Sequence, residues 1–313
     1  MKHLKEIDLI VAVGSVDGVL TTAAVLRKNG TSVPIIWTQA FQVDQIKIDQ
    51  LEAGRKILFI DLAVDNQRPE RTAKFVADLL EAGHKIIGVC DEHCREHWAN
   101  ILDLDGLAIQ PQSKSDRFHT SSGRVLLQAL FQEEDEIVYA LCMDAEKADA
   151  FEFVGYGEIA NKAIKSALQD DSRRTYLANC FAFKGTLDKK IQGWIDEYEE
   201  ILNNHSVIIE EAEADGKVVR LRPAGRRIDT TTLMGELYRK EFDLVVLDDQ
   251  IFDKEAGRKV PVVSFGTGRK NCDLIQILKD AGVPAIGGFA QKVSVRPENE
   301  RSVLDALRSG LKV

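Results

Sequence analysis

The sequence predicts an α/β protein: a doubly wound, mainly parallel sheet domain with a helical extension, followed by a smaller C-terminal α/β domain. Three observations carry this. Short Val- and Ile-rich runs alternate with helix-period segments through the first hundred residues. The pattern is almost wholly helical from about residue 121 to 183, and strand-like runs return after residue 205. Strands apolar on both faces are covered by helices on both sides, and strand–helix–strand repetition implies a parallel sheet.

In order, residues 8–13, 33–38, 57–64 and 85–90 read as strands, and 18–28, 69–82 and 92–102 as helices, with Gly30 and Gly83 as stop signals. Helices follow at 122–131, 136–148, 158–167 and 172–183. Residues 187–203 read as one long polar helix, suited to a connector or to an amphipathic surface helix. Strands are expected at 206–210, 217–222, 243–247, 260–265 and 283–287, with helices at 230–239 and 271–281. The expected division is therefore residues 1–186, a linker helix over 187–205, and a second domain over 206–313.

With 313 residues, 44% apolar and 29% charged, the chain has the composition of a soluble globular protein of one large or two ordinary domains. No apolar run approaches the roughly 20 residues of a membrane span, and the start has no signal-peptide core. Five scattered cysteines make no disulfide framework. The expected location is cytoplasmic. A net charge of −9 argues against a long polynucleotide partner, though not against a small anion held by a local site.

Three apolar runs end in acids. The first leads into Gly14-Ser15-Val16-Asp17-Gly18, the second into Asp61, and the third, Gly88-Val89-Cys90, into Asp91-Glu92-His93. Loops at the carboxyl ends of parallel strands converge on one crevice, so these ends suggest carboxylates gathered around a hard cation. Taken alone, Asp17 is better read as a helix N-cap. Asp61, set in an apolar run, requires a partner or a metal, and a functional role outweighs a buried salt bridge. Cys90, Cys94, His93 and His97 have one-face helical spacing, but no second pair completes a structural zinc site. Asp91, Glu92 and His93 suit Mg²⁺ or Mn²⁺ better.

Asp91-Glu92-His93 after an apolar strand resembles the Asp-His-His signature of the DHH phosphoesterase superfamily. The motifs ending in Asp17-Gly18 and Asp61 fall in the family's order. Thr120-Ser121-Ser122-Gly123 opens a helix followed by Leu141-Cys142-Met143-Asp144, which resembles the fourth acidic motif. Gly287-Gly288 stands where the associated DHHA1 domain has Gly-Gly-His. The resemblance spans nearly the whole chain, with degenerate first and third motifs.

What the resemblance implies is a metal-dependent phosphoesterase with two ions. Two ligands of one ion fall on Val11 and Ser15, leaving that ion Asp61 alone. The other ion's positions are Asp17, Asp61, Glu92 and Asp144, all carboxylates, which favours one well-formed Mn²⁺ or Mg²⁺ site. His93, with Asp91, is the expected catalytic pair. His93, Arg269, Gly287 and Gly288 are the expected substrate contacts, in a cleft between the domains. Phe289 replaces the family's substrate-binding His, and Arg269 reads equally well as a solvated loop residue.

The expected function is hydrolysis of a phosphate ester of a nucleotide or short oligonucleotide. The alternative is an inactive family member serving as a nucleotide- or protein-binding module, which the lost first-motif ligands favour. The first motif also resembles the phosphate loop of ATP pyrophosphatases, but only Gly14 precedes Asp17, and that family leaves Asp61, residues 91–93 and Gly287-Gly288 unexplained.

Overall fold

A computed structural model describes residues 3–113, 121–185, 187–253, 258–269, 271–285 and 287–313. It divides into two compact units, Met1–Asp196 and Glu197–Val313. Thr120 and the side chain of Phe289 lie outside the described parts.

The first unit is built on four parallel strands, β1 (Leu9–Val13), β2 (Ile35–Thr38), β3 (Lys56–Ile60) and β4 (Lys85–Cys90), in the order β2-β1-β3-β4. Their side chains alternate between two buried layers, as the period of a strand requires. Ile10, Ala12, Leu58, Ile60 and Cys90 enter one core, while Leu9, Val11, Ile57, Phe59 and Val89 enter the other. The first core receives α1 (Val16–Asn29) and the helical extension: α4 (Ser122–Leu130), α5 (Glu136–Asp149), α6 (Gly155–Lys165) and α7 (Asp171–Phe183). The second receives α2 (Pro69–Glu81) and Trp98 of α3 (Arg95–Ala99). The sheet is thus covered on both faces, as predicted.

The strand order reverses between β1 and β3. That switch point opens a crevice at the carboxyl ends of the strands, because the two flanking connections lead to opposite sides. The loops after β1, β3 and β4 all reach this edge.

Two expected elements are shorter. The strand expected over 57–64 stops at Ile60, because Asp61 takes φ +55° and leaves the extended region. The helix expected over 92–102 is reduced to α3, because Asp91 to Cys94 carry the strand-end loop.

The long helix α8 runs Lys189–Glu210 and includes the segment 206–210 expected as a strand. Val207-Ile208-Ile209 has strand composition, but Ile201, His205 and Ile208 are the buried positions, which is helical spacing. The second unit holds a six-stranded mixed sheet, ordered β5-β6-β7-β8-β10-β9. Its strands are β5 (Glu213–Asp215), β6 (Val218–Leu221), β7 (Leu244–Asp253), β8 (Arg258–Gly266), β9 (Gly287–Phe289) and β10 (Lys292–Val295). One face packs α9 (Thr230–Arg239), and the other packs α10 (Leu274–Asp280) and α11 (Glu300–Leu311). Of the strand expected over 283–287, residues 283–285 are not strand and Gly287 begins β9; β10, β5 and α11 are additional. Among the described residues no helix is long and apolar enough to cross a membrane.

Candidate metal centre

Asp17 is not the cap of α1. Ser15 is, with its hydroxyl accepting the Gly18 N–H at 2.8 Å. This frees Asp17, in the first helical turn, to point inward, where it is almost fully buried. Its Oδ1 accepts the Ser122 hydroxyl at 2.9 Å and the Thr21 hydroxyl at 3.2 Å, and its Oδ2 accepts the Ser122 N–H at 3.3 Å. Asp17 therefore sits at the N-terminal end of α4, where backbone N–H groups favour an anion. Gly123 lets α4 approach α5, since a Cβ there would lie 2.6 Å from the Cys142 carbonyl oxygen.

Asp61 extends the β3–β4 ladder by one bond, its N–H donating to the Cys90 carbonyl at 2.9 Å. Its left-handed φ of +55° then turns the chain. Asp tolerates this region better than most residues, and such strain concentrates at functional sites. Its Oδ2 accepts the Ser15 hydroxyl at 2.5 Å.

Asp91 and Glu92 are fully buried at the end of β4. Asp91 takes the Trp98 indole N–H on Oδ2 at 3.1 Å, while its Oδ1 is 2.8 Å from His93 Nδ1. The carboxylate thereby selects the tautomer of His93 that carries its proton on Nδ1, so ligand chemistry at this residue belongs to Nε2. His93 also lies 3.6 Å from Glu92 Oε1, and its side chain is 45% exposed. With Glu92, Ala63, Asn66 and His97 it lines an open cleft of about 300 Å³.

Two sets of potential ligand atoms result, each within 4.8 Å of one another: Asp61, Asp91, Glu92 and His93, and Asp17, Glu92 and Asp149. Glu92 is common to both. Burial and the adjacent Glu92 carboxylate raise the Asp17 pKa to about 8, with Asp149 adding to the effect and the Ser122 hydrogen bonds opposing it. Asp61 is pushed well above the usual carboxylate range by burial, then by Asp17 and Glu92, against the Ser15 hydrogen bond. Such crowding favours the protonated forms unless a cation compensates. An oxygen-dominated donor set with one imidazole fits a hard divalent ion.

Asp17, Asp61, Glu92, Asp91 and His93 are thus brought together. Asp144 belongs to neither set. Its Oδ2 accepts the Tyr156 N–H at 2.8 Å and so caps α6, packed so closely that a Cβ on Gly155 would lie 2.4 Å from it. Asp149, five residues further along α5, is the acid of that helix whose carboxylate lies within 4.8 Å of the Asp17 and Glu92 oxygens. Five residues are about 140° around a helix, so the two carboxylates leave different faces. No motif marked Asp149, whose only sequence signal is an acid in the last turn of a helix.

The remaining expected residues make other contacts. Arg269 forms a two-point ion pair with Asp243, at 3.0 and 2.6 Å, and donates to the Leu311 carbonyl at 2.6 Å, so it clamps the end of α11 and is not a solvated loop arginine. Gly288, at φ +145°, allows β9 to approach β10: a Cβ would lie 2.2 Å from the Lys292 carbonyl oxygen. Gly287 has open space around it and precedes Gly288 in the same strand. Cys90 is buried with its thiol directed to the Ser122 carbonyl at 3.1 Å, whereas Cys94 is turned to Glu96, so they make no zinc pair. Val11 is fully buried in the sheet core.

No protein-family profile matches the chain, and no curated protein matches it. Among solved structures the chain is similar to a pGpG-specific phosphodiesterase, PggH, from Vibrio cholerae, with a TM-score of 0.62 and 10% identity over 97% of this chain and 98% of that one. At this identity the likeness is one of fold. An uncharacterized protein from Helicobacter pylori G27 is similar at a TM-score of 0.38 and 12% identity, covering 98% of this chain and 100% of that one, and carries no argument.

Proposed function

We propose that this protein is a divalent-metal-dependent phosphoesterase acting on a nucleotide or short oligonucleotide. The observation that carries the proposal is the convergence of buried Asp17, Asp61 and Glu92 at the switch point of the sheet, with Asp91 and His93 beside them. The fold shared with a phosphodiesterase supports it. In this reading Glu92, common to both sets, would hold Mn²⁺ or Mg²⁺ with Asp17 and Asp149 or with Asp61, and His93 stays off the ion. The ion, when bound, supplies Lewis acidity and a more acidic water. Asp91 keeps the His93 proton on Nδ1, so that Nε2 takes the proton of the attacking water or gives one to the leaving oxygen. The open cleft beside His93 admits the ester.

A binding module is the second reading, favoured by Val11 and Ser15, which occupy ligand positions in the resemblance and are here committed to the core and to Asp61. Purified protein stripped with EDTA and reloaded with Mn²⁺ or Mg²⁺ separates the two. Hydrolysis of pGpG or another dinucleotide that requires the ion and falls in Asp61→Asn supports the enzyme. Tight nucleotide binding without turnover supports the module.

A further inference from the structure

We propose that His97 is the general acid that protonates the leaving oxygen while His93 takes the proton of the attacking water; this rests on the phosphoesterase reading above. The described histidines divide into two pairs. His84 and His205 are buried, and each accepts a backbone N–H, from Arg55 at 3.2 Å and from Asp229 at 3.0 Å. His93 and His97 are exposed and line one cleft, with Glu92 in its wall. Among the described residues no hydrogen bond holds the His97 imidazole. Its backbone is fixed all the same. The His97 N–H donates to the Cys94 carbonyl at 3.1 Å, and the next residue, Trp98, is fully buried and stacks on Phe59 with ring centroids 5.6 Å apart. Asp91 holds the His93 ring with Oδ1 and the Trp98 indole with Oδ2, so one carboxylate anchors both sides of the pair.

In-line displacement at phosphorus puts the entering and leaving oxygens on opposite sides. His93, fixed to Asp91 through Nδ1, presents Nε2 to one of them, so the other needs a second group. The remaining polar residues that line the cleft do not serve. The Glu96 carboxyl is held below the usual carboxylate range by its own backbone N–H, then by the Cys94 thiol and the Ser113 hydroxyl, so it carries no proton to give. That thiol and hydroxyl are committed to it, at 3.2 and 3.1 Å. Asn66 offers an amide, which does not ionise. His97 remains, and histidine suits either proton role near neutral pH. The water oxygen forms the new bond to phosphorus and loses its proton to His93 Nε2. The ester P–O bond breaks, and the leaving oxygen takes the proton of the His97 imidazolium, so the nucleoside departs as a neutral alcohol. Proton exchange with solvent then returns both rings to their starting forms.

The test compares leaving groups on the full chain with Mn²⁺. One substrate is a ribodinucleotide, whose alkoxide needs a proton, and the other is the p-nitrophenyl ester of guanosine 5′-monophosphate, whose phenolate leaves without one. His97→Ala and His97→Gln change an exposed side chain, so both should melt with wild type, and the glutamine keeps an N–H donor that cannot ionise. Expected is a roughly 10²- to 10⁴-fold fall in kcat on the dinucleotide in both variants, with KM retained and kcat on the p-nitrophenyl ester unchanged. His93→Ala should slow both esters. An equal fall on the two esters in the His97 variants, or no fall on the dinucleotide, overturns the acid role and leaves the phosphoesterase reading standing. Hydrolysis of neither ester by wild type overturns that reading and the acid role together.

Discussion

The Ser15 hydroxyl donates to Asp61 Oδ2 at 2.5 Å while accepting the Gly18 N–H at 2.8 Å, so one side chain joins the start of α1 to the acid that ends β3. Two adjacent strands meet the site through it. Ser15→Ala removes a helix cap, costing about 1 kcal/mol, and also the donor that moderates the Asp61 charge. Urea unfolding should show the stability loss, and divalent-ion titration at neutral pH should show weaker binding.

Stability of the metal-free protein should fall as pH rises. Asp17 and Asp61 have folded pKa values above those of an unfolded Asp, so between those values the native state binds more protons than the unfolded state. Unfolding free energy then has a negative slope with pH. The favourable contribution is present in full below the unfolded pKa and is lost as pH passes through the folded value, near 8 for Asp17. Melting curves in EDTA from about pH 5 to about pH 9 should show this decline. Millimolar Mn²⁺ should reverse it, because ionised carboxylates bind the ion best at high pH.

Asp149 and Asp144 should separate cleanly on substitution. Asp149→Ala removes a carboxylate from the crowded set, so it should weaken Mn²⁺ binding while leaving the melting temperature in EDTA unchanged or raised. Asp144→Ala removes the acceptor for the Tyr156 N–H and should cost about 1 kcal/mol with Mn²⁺ affinity retained. The reverse pattern would return the ligand role to Asp144.

His93→Ala should reduce turnover by roughly 10²- to 10⁴-fold with little effect on melting, since the side chain is 45% exposed. Asp91→Asn should also slow turnover, because an amide cannot accept from both His93 and Trp98 as the carboxylate does, but it should destabilise the fold as well.

Val11→His, which would restore a ligand type of the resembled family, should instead unfold the protein partly. Val11 is fully buried in the layer with Phe59 and Val89, where an imidazole without a partner costs roughly 1–3 kcal/mol. Circular dichroism melting of the single variant decides this before any assay.

Most of the first unit was legible as sequence, because a strand buried on both faces needs an unbroken apolar run and a helix needs its own stop signal. β4 and α9 match their expected limits. The acids at strand ends were legible for the same reason: an apolar run that stops in a carboxylate announces both the strand and the edge. The second unit was read less well. Residues 206–210 have β-branched composition and are helical because Ile208 packs with Val219 and Leu247, contacts that no local window contains.

By itself, the sequence determined the α/β class, the order of strands and helices around the first sheet, and that Asp17, Asp61 and Glu92 lie beside its strand ends, since those follow from local periodicity and chain order. Tertiary structure alone decided what each acid does. Ser15, not Asp17, caps α1, because the Gly18 N–H meets the Ser15 hydroxyl and leaves Asp17 for Ser122, more than a hundred residues away. Asp149, not Asp144, joins the cluster, because the rotation of α5 against α1 and α6 selects which face meets the sheet edge. Local sequence encodes which residues are able to ligate, whereas helix rotation and packing set which of them arrive.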